Sequence, residues 1–112
     1  MVTVVSEQIS HGWGETVHKR LDGESYYFVS FDEYKAKRRA DIFESLWLAI
    51  DGVDIVDQDV IPVKVAREGK AAIASYLYSV HLKSIGNIAE ILKVSASTVE
   101  QYLTDVKAGR RL

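Results

Sequence analysis

Residues 84–103, SIGNIAEILKVSASTVEQYL, contain two amphipathic repeats that are separated by only a few residues. In each repeat apolar side chains recur at i, i+3, i+4 and i+7, the spacing of one helical face, and a third copy precedes them. The three sets are Ile73, Tyr76, Leu77 and Val80, then Ile85, Ile88, Ala89 and Leu92, and then Val99, Tyr102, Leu103 and Val106. Because residues 94–96 alone join the last two helices, the pattern predicts a helix-turn-helix module.

The last of these helices has signals at both of its ends. Ser95 or Ser97 can accept hydrogen bonds from free backbone N–H groups at its start, and Ser97 with Glu100 has the spacing of a capping box. Gly109 can end it. We therefore predict a helix over about residues 96–108.

A row of small or amide-bearing side chains lies opposite the apolar stripe of this helix, at about 100° per residue. The row consists of Ser97, Gln101, Thr104 and Ala108. Such a face fits a DNA major groove, where the Gln101 amide can pair bidentately with adenine, and Ser97 and Thr104 can contact bases or phosphates. Glu100 either accepts from a cytosine amino group or serves only as the capping partner of Ser97.

The same stretch resembles the helix-turn-helix of transcription regulators, in the three-helix class that includes the DNA-binding domains of LuxR-type regulators and of sigma factors. Ala89 stands where that pattern has a small residue at the helix crossing. The resemblance covers about residues 68–111 and implies sequence-specific binding of double-stranded DNA. Many members have Gly at the start of the turn, where this chain has Lys93, so either Lys93 adopts a left-handed conformation at a cost of about 1 kcal/mol or the turn is longer.

Helix starts and basic side chains around the module are the predicted contacts to DNA phosphates, because backbone contacts position a protein on its site. Ser84 and Asn87 lie at the start of the second helix, where unpaired N–H groups favour an anion. The basic residues are Lys83, Lys93, Lys107, Arg110 and Arg111. For residues 107–111 the alternative is a solvated basic helix end. A second basic cluster, residues 35–39, is either a further phosphate-contacting patch or solvated surface.

Charge is divided unequally along the chain. There are 14 Lys and Arg against 16 Asp and Glu, a net charge of −2. Residues 60–112 hold 8 basic and 4 acidic residues, a balance of +4, whereas residues 1–59 hold 6 basic and 12 acidic residues, a balance of −6. This partition predicts a DNA-binding domain over residues 60–112 and a dimerisation or sensing part over residues 1–59.

The first half predicts a β-hairpin followed by a long helix. Residues 15–21 and 25–31 are extended candidates joined by Asp22-Gly23, a strong hairpin signal, and residues 1–9 can supply another strand. Asp32 offers an N-cap for a helix that ends near Ile50, and residues 60–65, with Pro62, favour an edge strand. The expected fold class is α+β: an N-terminal β-hairpin and long helix, followed by a three-helix helix-turn-helix bundle.

The long helix is apolar on more than one side in its later half, residues 42–50. Such a helix needs burial from several directions, either within the chain or against a second subunit. Because regulators of this kind gain affinity by binding two half-sites, we expect a homodimer through residues 32–51.

Several other classes of protein find no support in the sequence. There is no Cys, which excludes thiol catalysis and cysteine zinc sites, and the three histidines are far apart. Asp54, Asp57 and Asp59 lack the spacing of a calcium-binding EF-hand, and we interpret them as solvated carboxylates. No apolar run approaches the roughly 20 residues that span a bilayer, and the first residues lack the basic start of a signal peptide. We expect a cytoplasmic protein that is not an enzyme and needs no cofactor or metal.

The sequence therefore predicts a DNA-binding transcription regulator that reads the major groove with residues 96–108. The alternative is a helix-turn-helix adaptor that binds proteins, with the acidic first half docking a basic partner. Whether the first half binds a small-molecule effector stays open.

Overall fold

The computed structural model describes residues 2–6, 14–56 and 60–110 of the chain. In these residues three strands precede five helices, which confirms the predicted α+β class. The elements are β1 Val2–Ser6, β2 Glu15–Leu21, β3 Glu24–Ser30, α1 Glu33–Ile50, α2 Val63–Ala66, α3 Lys70–Ser79, α4 Ile85–Leu92 and α5 Ala96–Lys107.

The strands form one sheet with β3 in the centre. β2 runs antiparallel to β3 as the predicted hairpin, and β1 lies parallel to β3 on its other side. Asp22 and Gly23 have φ values of 50° and 81°, and both residues of a tight type I′ hairpin turn need positive φ. The expectation of a strand within residues 1–9 is confirmed by β1.

Helix α1 covers one face of this sheet. Along β3 every second side chain is buried, as at Tyr26 and Phe28, and the residues between them are half-buried. The rings of Tyr26 and Phe28 lie 5.1 and 5.4 Å from the ring of Phe43 in α1, at angles typical of aromatic packing. On the opposite face of the sheet, Tyr27 stacks on His18 at 4.6 Å.

Most of the apolar side chains in the later half of α1, residues 42–50, are buried within the chain. The helix starts where the Asp32 carboxylate accepts a hydrogen bond from the backbone of Tyr34, as predicted. Ile42, Phe43 and Leu46 are completely buried, because the sheet covers one side of α1 while α3 and α5 cover another. Leu48 and Ala49 are the exceptions, and Leu48 has 66% of its surface exposed.

Residues 60–65 do not form the predicted edge strand. Pro62 instead precedes α2, a single helical turn whose residue Val65 is completely buried. The fixed φ of proline suits the start of a helix, where its missing N–H has no bond to lose. Alternating valines suggested a strand, but only Val65 faces the core while Val60 and Val63 are exposed.

Tyr76 in α3 forms hydrogen bonds with the backbone of residues 54–56, which follow α1. Its ring is completely buried, and its hydroxyl donates to the carbonyl of Asp54 at 2.8 Å and accepts from the N–H of Val56 at 2.9 Å. His81 packs its ring edge against Tyr76 and bonds the carbonyl of Val56 through Nε2 at 3.3 Å. His81 is therefore a packing residue. The buried cluster that includes Tyr76 extends from the sheet through all the long helices.

An ion pair joins α1 to α5. The Arg38 guanidinium donates to both carboxylate oxygens of Glu100, at 3.0 and 2.7 Å, and lies over the ring of Tyr78. Glu100 thus faces α1, and the predicted capping box with Ser97 is wrong. The hydrogen bond from Arg38 lowers the pKa of Glu100 from its ordinary value of 4.5.

We predict that Glu100→Gln lowers the free energy of unfolding by about 1 kcal/mol at neutral pH, measured by urea denaturation. The Arg38 side chain is only 13% exposed and loses a charged, bidentate partner. The loss stays small because Glu100 is 46% exposed and solvent screens the pair. Glu90→Gln, at an exposed position of α4, is the control and should change little.

The difference between wild type and Glu100→Gln should also depend on pH. A carboxylate whose pKa is lowered by folding contributes its full stability above its unfolded value, here 4.5, and loses that contribution as the pH falls through its folded value. The difference in unfolding free energy between the two proteins should therefore shrink as the pH falls below 4.5 and Glu100 becomes protonated. A difference that does not shrink on acidification would contradict the assignment of the effect to this ion pair.

Candidate nucleic-acid interface

Helices α4 and α5 are joined by a three-residue turn, residues 93–95. Lys93 adopts the left-handed conformation, with φ 57° and ψ 47°, and Val94 donates its N–H back to the carbonyl of Ala89 at 3.1 Å. This bond closes a helix end in the Schellman manner. The sequence allowed either a left-handed Lys93 or a longer turn, and the structure has the left-handed lysine with a short turn.

The apolar stripes of α4 and α5 meet beneath this turn. Ile88, Val99 and Leu103 are completely buried, and Ala89 and Tyr102 are half-buried where they pack against the core. Helix α3 lies behind both helices. The crossing of α4 and α5 is therefore fixed by the short turn and by shared burial.

Ser95 is the N-cap of α5. Its hydroxyl accepts a hydrogen bond from the N–H of Thr98 at 3.1 Å, so Ser97, the other candidate, is not the cap. At the other end Gly109 has a φ of 75°, and Arg110 donates its N–H to the carbonyl of Asp105 at 2.8 Å. A glycine takes this conformation without strain, which agrees with the predicted end of the helix.

The three predicted base-contacting residues share the outer face of α5. Ser97, Gln101 and Thr104 are all exposed, whereas Val99 and Leu103 on the opposite side are completely buried. The face has small side chains at both ends and one long amide in the middle. It can approach a surface closely along its whole length.

Gln101 is oriented by a carboxylate that the sequence reasoning missed. Its Nε2 donates to Oδ1 of Asp105 at 2.8 Å, and the guanidinium of Arg110 binds the same oxygen at 2.9 Å. One amide hydrogen is used in this way, which leaves the second hydrogen and the carbonyl oxygen of Gln101 for a ligand. The i,i+4 spacing of Gln101 and Asp105 is the sequence signal that would have indicated this bond.

The predicted phosphate-contacting residues lie around this face and at the start of α4. Lys93, Lys107 and Arg110 are exposed, and Lys83 is half-buried. Arg111 lies outside the described residues. Basic charge is thus present at both ends of α5.

The start of α4 is exposed as well. The Ser84 hydroxyl accepts from the N–H of Asn87 at 3.1 Å and bonds the Asn87 side-chain oxygen at 2.7 Å. Both side chains are exposed. They stand where the partial positive charge of a helix start favours an anion.

Two of the acidic residues in this half of the chain are bound to arginines. Glu100 is bound by Arg38, and Asp105 is bound by Arg110. The repulsion that these carboxylates would exert on a polyanion is therefore reduced. Glu90 is a further exposed carboxylate on α4.

The described part of the chain contains no group of three or more His, Cys, Asp or Glu side chains that could hold a metal ion. Two members of the aspartate cluster considered for calcium, Asp57 and Asp59, lie outside the described residues. No described helix combines the length and the apolar character that crossing a membrane requires.

We found no match to this chain among protein-family models, among curated proteins or among solved structures.

We predict that Lys93→Gly raises the free energy of unfolding by about 1 kcal/mol, because glycine adopts positive φ without the steric cost that a Cβ imposes. Lys93→Ala is the matched control, since it removes the same side chain and keeps the strain. Urea denaturation of both variants measures the difference. Equal stability of the Gly and Ala variants would contradict the left-handed conformation of this residue.

Proposed function

We propose that this protein is a sequence-specific DNA-binding transcription regulator that places α5 in the major groove. The observation that carries the proposal is the exposed row of Ser97, Gln101 and Thr104 on a helix whose other side is completely buried. With 12 residues α5 is about 18 Å long, and a B-DNA major groove about 12 Å wide admits such a helix.

In this proposal Gln101 reads an adenine. Its carbonyl oxygen accepts from the adenine amino group, and its second amide hydrogen donates to N7. The bond to Asp105 holds the amide in place before DNA arrives, so less side-chain entropy is lost on binding. Ser97 and Thr104 contact bases or phosphates on either side of Gln101.

The phosphate contacts come from both ends of the module. Lys93, Lys107 and Arg110 are exposed near the two ends of α5, and Ser84 and Asn87 are exposed at the start of α4. They position the duplex, whereas the base contacts select its sequence. The resemblance of residues 68–111 to the helix-turn-helix of transcription regulators supports the same assignment, including its short turn.

We also propose a homodimer, formed through the exposed part of α1. Ile42, Phe43 and Leu46 are buried in the core of the chain. The apolar side chains of α1 that a second subunit can contact are therefore Leu48 and Ala49. These two residues border a cavity of about 370 Å³ beside the last turn of α5. A single α5 contacts few bases, and a dimer can read two half-sites about 34 Å apart.

Selection of bound sequences from random duplexes, followed by titration at increasing salt, tests DNA binding. The affinity of the wild type should fall steeply with salt, because bound cations release counterions from the phosphates. Gln101→Ala should relax the preference at one base position, which corresponds to about 1–3 kcal/mol of lost discrimination. Lys93→Gln should weaken binding to all sequences alike and reduce the salt slope by about 0.9.

Two results would contradict the proposal that α5 binds duplex DNA. A wild-type protein that binds no duplex, or binds it without salt dependence, would instead favour the adaptor function. Unchanged selectivity and affinity in both variants would show that α5 is not the DNA-contacting helix.

Leu48→Asp should convert the dimer to a monomer, because a charge replaces the apolar anchor of the interface. Val63→Asp is the control, since Val63 is 70% exposed in α2 and does not line the cavity beside Leu48. Light scattering measures the mass of each variant. A wild-type monomer, or a Leu48→Asp dimer, would refute this interface.

A further inference from the structure

A groove of about 420 Å³ lies between the start of α1 and the start of α4. We call it the basic groove, and its polar walls are Tyr34, Lys35, Arg38, Arg39, Lys83 and Ser84. It joins the acidic first half of the chain to the helix-turn-helix, and four cationic side chains line it. The function proposed above does not use the residues that α1 contributes.

Positive charge dominates this groove. The lining includes one carboxylate, Asp32, and that side chain is the N-cap of α1, where it accepts from the backbone of Tyr34. Within the described residues, neither Lys35 nor Lys83 makes a side-chain ion pair. Lys37, two residues along the same helix, is by contrast paired with Asp41.

Ring contacts and hydrogen bonds hold the inner wall of the groove in place. The guanidinium groups of Arg38 and Arg39 lie 5.4 and 5.3 Å from the ring centre of Tyr78, which is itself buried. Glu100 fixes Arg38 further through two hydrogen bonds. The outer wall is accessible: Lys35 and Ser84 are exposed, and Tyr34 is 69% exposed. Accessible cationic and hydroxyl donors above a well-packed inner wall are suited to binding an anion.

The groove adjoins the proposed recognition helix. Arg38 lines the groove and also binds Glu100, the residue immediately before Gln101 in α5. Ser84 belongs both to the groove and to the start of α4, which is a proposed phosphate contact. In a major groove filled by a helix, the phosphate backbones run along both of its sides. With α5 in the major groove as proposed, the backbone on the side of Ser84 would pass the basic groove.

We propose that the basic groove binds a backbone phosphate of the duplex that α5 reads, with Lys35 of α1 and Lys83 at the two walls. This inference rests on the proposed function and extends the DNA-contacting surface into the first half of the chain. A duplex phosphate is favoured over a free anion because the groove is accessible at Lys35 and Ser84, and because its wall residue Arg38 binds Glu100 of α5. The Tyr34 hydroxyl can donate a further hydrogen bond to the same phosphate.

The test replaces Lys35 by Gln and measures duplex affinity as a function of salt. Loss of one phosphate contact should reduce the steepness of the plot of log affinity against log salt by about 0.9. If the variant and the wild type bind equally at 1 M salt, the variant then binds about eightfold more weakly than the wild type at 0.1 M salt. The base preference should not change. Lys35→Arg should retain the wild-type slope, because it keeps the charge.

Arg67→Gln is the matched control. It makes the same change in net charge at an exposed position that does not line the groove, so its slope should equal that of the wild type. Ethylation interference on the selected duplex gives a second readout. One phosphate at the edge of the binding site, required by the wild type, should become dispensable for Lys35→Gln.

The failures of the two proposals can be told apart. If the wild type binds duplex DNA but Lys35→Gln and Arg67→Gln have the same slope and the same interference pattern, the basic groove does not hold a phosphate and the function of α5 stands. If the wild type binds no duplex, both proposals fall. If Lys35→Gln changes the base preference instead, the groove contacts bases and the phosphate assignment is wrong.

Discussion

The burial of α1 from two sides is the constraint on which the rest of this structure depends. One side of the helix packs Phe43 against the aromatic rings of β3, and another meets the C-terminal helices, with Arg38 bound to Glu100 of α5. A helix that is apolar on several sides is unstable in water unless each side is covered. Because the two coverings come from the two ends of the chain, α1 unites the sheet and the helix-turn-helix in one core.

This constraint decides which side of α5 reaches solvent. With α3, α4 and α1 packed on its apolar and flanking sides, the row through Gln101 stays exposed, together with Ala96 and Lys107. The electrostatics follow from the same packing. Glu100 is turned towards Arg38 and Asp105 is held by Arg110, so the carboxylates of α5 are neutralised while Lys93 and Lys107 stay exposed. The helix presents a polar, partly cationic surface although the whole chain is acidic.

The turn between α4 and α5 contains a lysine in the left-handed conformation, which the described residues Asp22, Asp51 and Leu82 also adopt. Lys93 adopts a conformation that glycine would adopt more easily, and Ser95 follows it as the cap of the next helix. The short connection needs both features, since one reverses the chain and the other satisfies the first free N–H groups of α5. The lysine side chain places a cation beside the proposed DNA face. Lys93 therefore combines a backbone conformation that lowers stability with a proposed contact to a DNA phosphate.

Local patterns alone predicted the hairpin at Asp22-Gly23, the long helix after Asp32 and the three amphipathic helices, because turn chemistry, caps and periodicity act within a few residues. Helical periodicity also predicted that Ser97, Gln101 and Thr104 share the exposed face of α5. The tertiary structure alone decided the partner of Glu100, the helical turn after Pro62 and the basic groove at Lys35. Each of these depends on elements far apart in sequence, whose meeting is set by burial of a shared core and not by any local preference.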